Sequence, residues 1–237
     1  MLKRVLLMVF RNILAVPYMW CKLCYYAKHT DEIPDDKKYK FLRWIVRRAC
    51  KGGRVTIDAH GAENLPTDQS YIMYPNHQGM FDVLAILDAC DAYISVVSKI
   101  EVKNVQFLKQ VFAIIKAQFM DRSDVRQSMK VIMDVGKEVK NGRNFLIFPE
   151  GTRSRNGNQV GEFKGGSFKS ATMAKCPIVP VAIINSFVPF DSHSIEPVTV
   201  QVHFLKPIPY EEYKDMKTTE IAEMVRTQIV ETIEANV

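Results

Sequence analysis

A histidine and an aspartate five residues apart are the first side chains that could do chemistry. His77 and Asp82 lie in the string NHQGMFD, residues 76–82. On a regular helix this spacing puts two side chains about 140° apart, so we expect His77 in a turn, Asp82 in the first turn of a following helix, and Gly79 between them. The carboxylate would then hold one imidazole nitrogen and leave the other free as a general base. A helix cap beside a surface histidine is the structural alternative, because the spacing is common.

The sequence offers this base no covalent nucleophile and no metal. It contains no Gly-x-Ser-x-Gly elbow. His77 and Asp82 lack a third ligand, so no metal site is predicted. The remaining histidines stand singly and are predicted to be structural: His29, His60, His193 and His203. The simplest chemistry is direct attack by a substrate hydroxyl whose proton the base removes.

A second string, FPEGTRS at residues 148–154, ends an apolar run in a glycine turn. Gly151 would free backbone N–H groups to bind an anion, and Arg153 would supply a planar fork for phosphate oxygens. Glu150 cannot hold a phosphate, but it could order Arg153 or bind a sugar-alcohol hydroxyl. The string therefore predicts a phosphate-binding turn.

Two further cations are candidates for the same phosphate. Arg122 follows a predicted strand, and Lys164 lies in a turn that opens a helix. The structural alternatives are an ion pair of Arg122 with Asp121 or Asp124, and a solvated Lys164. The sequence has no Gly-Lys-Ser phosphate loop, which argues against nucleotide hydrolysis.

These candidates need a scaffold, and the pattern from residue 54 onward predicts one. Strands alternate with helices, which is typical of an α/β fold with a mixed, largely parallel sheet flanked by helices. The predicted strands are 55–58, 71–74, 93–97, 117–120, 144–148, 178–183 and 198–204. The predicted helices are 81–89, 104–115, 123–140, 163–175 and 218–235. Both strings and Arg122 follow strands, and ligand sites in such sheets gather where strands end.

The net positive charge of the chain is confined to its N-terminal part. Residues 1–54 carry 13 lysines and arginines against four acidic residues, a net charge of +9, whereas residues 55–237 carry 19 against 22. The same N-terminal part is also the most apolar. This combination favours an anionic membrane surface as partner and argues against nucleic acid.

Two helices in residues 1–53 are expected to dock on that membrane. Residues 1–27 resemble a signal peptide at first, but Arg11 interrupts the apolar run and no small-residue cleavage site follows. Pro17 and Lys22 leave too short an apolar stretch for a good transmembrane span. We expect an interfacial or shallowly inserted helix here and an amphipathic helix at 37–51, whose polar face carries Lys38, Lys40, Arg43, Arg47, Arg48 and Lys51. A surface helix packed on the core is the alternative for the second.

The cysteines indicate the compartment. Five cysteines are an odd number and show no disulfide spacing, which fits a reducing, cytoplasmic environment. The expected location is the cytoplasmic face of the cell membrane, with peripheral or monotopic attachment.

Four ordered blocks of the sequence resemble those of the glycerolipid acyltransferases. They lie at residues 76–82, 119–122, 148–154 and 178–182 and read NHQGMFD, FMDR, FPEGTRS and IVPVA. Members similar in length are the 1-acyl-sn-glycerol-3-phosphate (lysophosphatidic acid) acyltransferases. One departure is Ala117, where the second block usually has glycine.

The resemblance implies transfer of an acyl group from a thioester to the free hydroxyl of 1-acyl-glycerol-3-phosphate, which gives phosphatidic acid. The donor would be coenzyme A or acyl carrier protein, as a co-substrate, and no metal or bound cofactor is required. The catalytic residues would be His77 and Asp82. The substrate-binding residues would be Asn76, Arg122, Glu150, Gly151, Thr152 and Arg153, and Lys164 is added by its position.

Three rival functions remain at the level of sequence. Glycerol-3-phosphate or another lysophospholipid could be the acceptor. A non-catalytic lipid-phosphate carrier would keep the fold and the cations but has no use for an oriented base. A phosphate-ester hydrolase would need a nucleophilic aspartate, a metal cluster or an activated serine, and none is arranged here. Residues 54–237 are expected to form the acyltransferase domain in one piece.

Overall fold

The computed structural model describes residues 2–237, which form a seven-stranded sheet flanked by helices. The strands are β1 (Val55–His60), β2 (Ile72–Pro75), β3 (Ile94–Lys99), β4 (Gln118–Met120), β5 (Asn144–Leu146), β6 (Ile178–Ile184) and β7 (Val198–Phe204). Their order is β1-β7-β6-β2-β5-β3-β4, and β6–β7 is the antiparallel pair in this mixed sheet. The other neighbouring pairs are parallel. The predicted fold class is confirmed.

The helices lie before, between and after these strands. They are α1 (Leu2–Phe10), α2 (Val16–Lys28), α3 (Asp35–Gly52), α4 (Asp82–Ala89), α5 (Leu108–Ile114), α6 (Val125–Lys140), α7 (Lys169–Ala174), α8 (Val188–Asp191), α9 (Tyr210–Tyr213) and α10 (Thr218–Glu234). Short 3₁₀ turns occur at Ala62–Asn64, Ile100–Val102 and Gly165–Phe168.

Two predicted helices are shorter than the sequence suggested. The helix expected at 104–115 begins at Leu108, because Phe107 adopts a positive φ of 73° that a regular helix cannot contain. The helix expected at 163–175 starts as a 3₁₀ turn around two glycines, whose helix propensity is poor. Gly165 lies so close to α10 that a Cβ would stand 3.0 Å from the Thr219 nitrogen.

The sheet is covered on both faces, which is why its central strands are apolar along their whole length. All seven residues of β6 are buried. One apolar cluster includes side chains of α2, α3 and α4, and the other those of α6, α7 and α10. The carboxyl ends of β2 and β5 thereby reach one edge of the sheet between two packed layers.

The N-terminal helices pack on this body. Arg4 is 1% exposed, and its guanidinium donates to the carbonyls of Gly53, Ser194 and Glu196 at 2.6–3.0 Å. No helix in residues 2–237 is long and apolar enough to cross a bilayer.

Helix α3 shows both the predicted amphipathic character and an unexpected burial of charge. Lys38 and Arg43 were expected on its polar face, but both are buried. Arg43 donates to the carbonyls of Leu87 and Asp88 at the end of α4, at 3.0 and 2.8 Å, and Lys38 pairs with Asp35 at 2.7 Å. The free carbonyls at a helix C-terminus attract cations, so this helix packs on the body over part of its basic face.

Candidate active site

The turn between β2 and α4 brings His77 and Asp82 together. His77 precedes α4, and Asp82 is the first residue of that helix. The His77 Nδ1 and Asp82 Oδ2 atoms are 2.7 Å apart, with Asp82 fully buried and the His77 side chain 18% exposed. Asp82 also accepts the N–H groups of Gln78 at 2.7 Å and Gly79 at 3.1 Å. A carboxylate acceptor at Nδ1 fixes the proton there and leaves Nε2 as the basic nitrogen.

The two predicted strings are joined through His77. Its ring stacks on Phe148 with centroids 4.1 Å apart. The main-chain N–H of His77 donates to Glu150 Oε1 at 2.7 Å, and the main-chain carbonyl of His77 accepts the N–H of Ser154 at 2.9 Å. Within residues 2–237 the His77 Nε2 atom has no hydrogen-bond partner. The imidazole is therefore held by its ring face, its main chain and Nδ1, with Nε2 available.

Glu150 supports this turn and forms no hydrogen bond or ion pair with Arg153 in the described part of the chain. It is 4% exposed, and its second oxygen accepts the N–H of Gly161 at 3.2 Å. A Cβ on Gly161 would lie 2.6 Å from that oxygen, so a larger residue there would displace the carboxylate. Burial raises the pKa of Glu150 above its ordinary value, and the hydrogen bonds from His77 and Gly161 oppose that shift. The expected ordering of Arg153 by Glu150 is not what the structure shows.

The side chain of Asn76 also forms hydrogen bonds to the main chain. It is 1% exposed, its Nδ2 donates to the Ile183 carbonyl at 3.0 Å, and its Oδ1 accepts the Ile183 N–H at 2.7 Å. The amide thus fastens the end of β2 to β6. Thr152 is exposed on the glycine turn. Substrate binding by Asn76, Glu150 or Thr152 stays a prediction.

A cavity of about 310 Å³ brings Arg122, Gly151 and Lys164 together. Most of its wall is apolar and includes Val97, Met120, Met129, Ile132, Ile147 and Phe148. Gly151 has a φ of 72°, and a Cβ there would lie 3.1 Å from Lys164 Nζ. Within the described residues, neither the Arg122 nor the Lys164 side chain forms a hydrogen bond or ion pair. The cavity combines an apolar wall with two unpaired cations.

Arg153 lines a second cavity of about 250 Å³. Its other walls are Arg155, Gly157, Phe187 and Asp191, and Arg153 Nη1 lies 3.6 Å from the Asp191 carboxylate. The four residues predicted to grip one phosphate are therefore divided between two cavities. Phe148 connects His77 to the first cavity, and the Ser154–His77 hydrogen bond connects it to the chain beside Arg153.

Sequence reasoning missed three polar residues next to this site. Gln78, Asn158 and Asn185 are hydrogen-bonded to one another. Asn185 follows β6 at the same edge of the sheet, so the strand-end rule that located the two strings would also have indicated it. Asn158 carries no comparable signal, because it lies in a long loop.

Comparison with known proteins places the chain in a family. The family model described as Acyltransferase matches residues 56–184, more than half of the sequence. The chain belongs to the acyltransferase family. All the polar residues of the His77 turn lie inside the matched range.

The relatives of this acyltransferase come from distant organisms. It is 34% identical over 182 residues to a 1-acyl-sn-glycerol-3-phosphate acyltransferase of Saccharomyces cerevisiae, which covers 73% of the chain and 58% of the relative. It is 26% identical over 200 residues to one from Borreliella burgdorferi, which covers 81% and 80%. The chain spans about three fifths of the length of the yeast relative and of a similar one from Cocos nucifera.

A solved structure has the same fold. It is the 1-acyl-sn-glycerophosphate (LPA) acyltransferase PlsC from Thermotoga maritima, with a TM-score of 0.76, 20% identity, and coverage of 99% of this chain and 97% of that chain. At this identity the likeness concerns the fold. The coverage extends to the N-terminal helices as well as the sheet.

Proposed function

We propose that this acyltransferase moves a fatty acyl group from a thioester of coenzyme A or acyl carrier protein to the free hydroxyl of 1-acyl-glycerol-3-phosphate. The product would be phosphatidic acid, for phospholipid biosynthesis. The observation that best supports this proposal is the His77 imidazole, which the buried Asp82 carboxylate holds through Nδ1 while Nε2 stays free. The yeast and Borreliella relatives, both 1-acyl-sn-glycerol-3-phosphate acyltransferases, support the choice of acceptor.

In the proposed reaction, His77 Nε2 removes the proton of the acceptor hydroxyl as its oxygen attacks the thioester carbonyl. The imidazolium that forms is stabilised by Asp82. Collapse of the tetrahedral intermediate breaks the carbon–sulfur bond, and the thiolate takes the proton from His77. The hydroxyl, the carbonyl carbon and Nε2 must therefore meet within hydrogen-bond reach of one another.

The two cavities suggest where the two substrates lie. The apolar wall of the first cavity suits an acyl chain, and both thioester carriers bring a phosphate that Arg122 and Lys164 could pair with. Arg153 and Arg155 suit the phosphate of the acceptor. This assignment changes the expectation from sequence, in which Arg122, Arg153 and Lys164 served one phosphate.

Glycerol-3-phosphate or another lysophospholipid remains an alternative acceptor, since the same arginines would hold its phosphate. A lipid-phosphate carrier is a weaker alternative, because a carrier gains nothing from the buried contact between Asp82 and His77. The deciding assay uses purified protein, labelled acyl-coenzyme A or acyl carrier protein, and a panel of acceptors. Label in phosphatidic acid is expected. Transfer to none of the acceptors from either donor would contradict the proposal.

Residues 1–53 are proposed to attach the enzyme to the anionic cytoplasmic face of the membrane without crossing it, and residues 54–237 to form the catalytic domain. The support is the N-terminal net charge together with exposed apolar side chains. These side chains are Leu2, Leu6, Phe10, Ile13, Leu14, Tyr18, Trp20 and Tyr25. Each basic residue near an anionic surface contributes about 1 kcal/mol, and salt screens that attraction.

Flotation with vesicles tests this attachment. Binding to phosphatidylglycerol vesicles is expected to weaken when salt is added and to weaken further when Phe10 and Leu14 are both changed to serine. Replacing the exposed Val237 by serine is the matched control, because it lies at the other end of the chain. Equal binding to neutral and anionic vesicles at every salt concentration would contradict the electrostatic part of the proposal.

A further inference from the structure

Three side-chain amides form one hydrogen-bonded cluster beside the His77 turn. Gln78 Nε2 donates to Asn158 Oδ1 at 2.8 Å. The same oxygen accepts the N–H of Asn185 at 2.8 Å, and Asn158 Nδ2 donates to Asn185 Oδ1 at 3.1 Å. Gln78 is 1% exposed, so its amide depends on these partners for its hydrogen bonds. We call Gln78, Asn158 and Asn185 the amide cluster.

The amide cluster ties together three separate segments of the chain. Gln78 belongs to the turn between β2 and α4, and Asn158 belongs to the loop after β5. Asn185 is the residue that follows β6. Gln78 Oε1 also accepts the N–H of Ser186 at 2.8 Å. None of these segments is held at this point by the sheet, since β2 ends at Pro75 and β6 at Ile184.

The cluster reaches the imidazole through one shared atom. The Gln78 N–H donates to Asp82 Oδ2 at 2.7 Å, and the same oxygen lies 2.7 Å from His77 Nδ1. A shift of Gln78 would therefore move the carboxylate oxygen that orients the ring. Hydrogen bonds to a charged group are stronger than those between neutral groups, so such a shift would be transmitted to the ring.

The cluster also adjoins the second cavity. Gly157 precedes Asn158 and Phe187 follows Ser186, and both line that cavity with Arg153. Asn185 has a φ of 62°, in the left-handed region that asparagine adopts more readily than most residues. Strained backbone of this kind persists where its surroundings hold it firmly.

We propose that Gln78, Asn158 and Asn185 are positioning residues that hold the His77 turn against the wall of the second cavity. None of them touches the reacting atoms; they act through Asp82 and the loop that carries Arg153. The effect on turnover rests on the proposed acyl transfer, whereas the effect on the imidazole does not.

The test uses the 237-residue protein and three variants. Asn158→Ala removes all the hydrogen bonds of the central amide. Asn185→Gly keeps the positive φ, which glycine adopts freely, and removes only the side-chain amide. Gln159→Ala is the matched control, because this exposed neighbour lies in the same loop. Each variant is assayed for kcat and KM, for Tm, and for the Nδ1 proton and ring nitrogens of His77 by NMR of ¹⁵N-histidine-labelled protein.

Asn158→Ala is expected to shift or broaden the His77 Nδ1 proton signal and to lower kcat by about 10- to 100-fold, since a displacement of about 1 Å can have such an effect. Asn185→Gly should show the same changes to a smaller degree, and Gln159→Ala should match wild type. An unmoved His77 signal in Asn158→Ala, or a kcat within threefold of wild type, would overturn the proposal. If wild-type protein transfers no acyl group, the proposed function fails, and the NMR signal alone then decides on the cluster.

Discussion

Hydrogen bonds hold both the main chain and the imidazole of His77, and they also hold the carboxylate of Asp82. The side chains of Arg122 and Lys164, in contrast, form no hydrogen bond within residues 2–237. The base is thus oriented before any substrate arrives. The unpaired cations must find their partners in a ligand or in water. A proton transfer needs fixed geometry, while a phosphate supplies its own acceptors and can complete a site by binding.

The largest expected effect on kcat comes from Asp82→Asn, which changes the partner that orients His77. An asparagine would need its oxygen for the Gln78 and Gly79 N–H groups and would turn its NH₂ toward His77. The ring would then carry its proton on Nε2, and kcat should fall by about 10²–10⁴-fold. Steady-state kinetics and a Tm comparison measure the two effects separately. Asp68→Asn, in an exposed loop, is the control, and a kcat for Asp82→Asn within tenfold of this control would argue against the oriented base.

The next effect concerns the second cavity. Arg153→Ala should raise the KM for the phosphorylated acceptor by about 10- to 100-fold, since a hydrogen bond to a charged group contributes about 1.5–3 kcal/mol. Arg153→Lys should rescue it in part, because a point charge lacks the bidentate fork. KM is measured for both substrates in each variant. A rise confined to the thioester would show that the cavities have been assigned the wrong way round.

Arg122→Ala and Lys164→Ala probe the first cavity, and they should affect the KM of the thioester more than the KM of the acceptor. Each should raise the KM for the thioester by about tenfold, as expected for loss of one charged contact, and change the KM for the acceptor by less than threefold. Arg126→Ala, an exposed arginine on α6, is the control. If both variants raise the KM of the acceptor instead, then Arg122, Arg153 and Lys164 act on one phosphate, as the sequence suggested.

A smaller effect is expected at Gly151, which joins the two sides. Alanine at a positive φ costs about 1–2 kcal/mol, and its Cβ would press on Lys164 Nζ. Gly151→Ala should therefore lower the stability and also raise the thioester KM. Gly142→Ala is the matched control, since Gly142 has a φ of 92° and open space around it. Equal thioester KM values in the two variants would show that Lys164 does not depend on the turn.

The smallest effect concerns pH and Glu150. Burial raises the pKa of its carboxyl in the folded protein, so its contribution to stability is present at low pH and is lost as pH rises through that pKa. The free energy of unfolding of wild type, relative to Glu150→Gln, should fall as the pH rises above 4.5, the ordinary pKa of the carboxyl. Urea titrations at several pH values measure this difference. A difference that grows with pH would mean that the two N–H contacts outweigh burial.

The sequence predicted the sheet and the His77 contact because both depend on local signals. Alternating strands and helices located the β2 and β5 ends, and the spacing of His77 and Asp82 required a turn followed by a helix. The split of the cations between two cavities could not be foreseen, since it depends on how the chain turns after Gly151. The amide cluster was missed for a related reason: Asn158, its central member, lies in a long loop and meets Gln78 and Asn185 only across the fold.

Charge burial was the other failure of sequence reasoning. Lys38 and Arg43 fit a solvent-facing pattern, but the carboxylate of Asp35 and the end of α4 supplied partners that the pattern could not reveal. Ordering of Arg153 was one of two roles that the sequence suggested for Glu150, but its hydrogen-bond donors are the main-chain N–H groups of His77 and Gly161.

The central claim is that His77 removes the proton of the acceptor hydroxyl, and single-turnover acyl transfer tests it most directly. Wild type and His77→Ala are mixed with labelled acyl thioester and 1-acyl-glycerol-3-phosphate, both saturating, and phosphatidic acid is followed over time, with His193→Ala as the control for an exposed histidine. We expect the chemical step to slow by about 10²–10⁴-fold in His77→Ala, with a Tm close to that of wild type. A rate within threefold of wild type would contradict the claim.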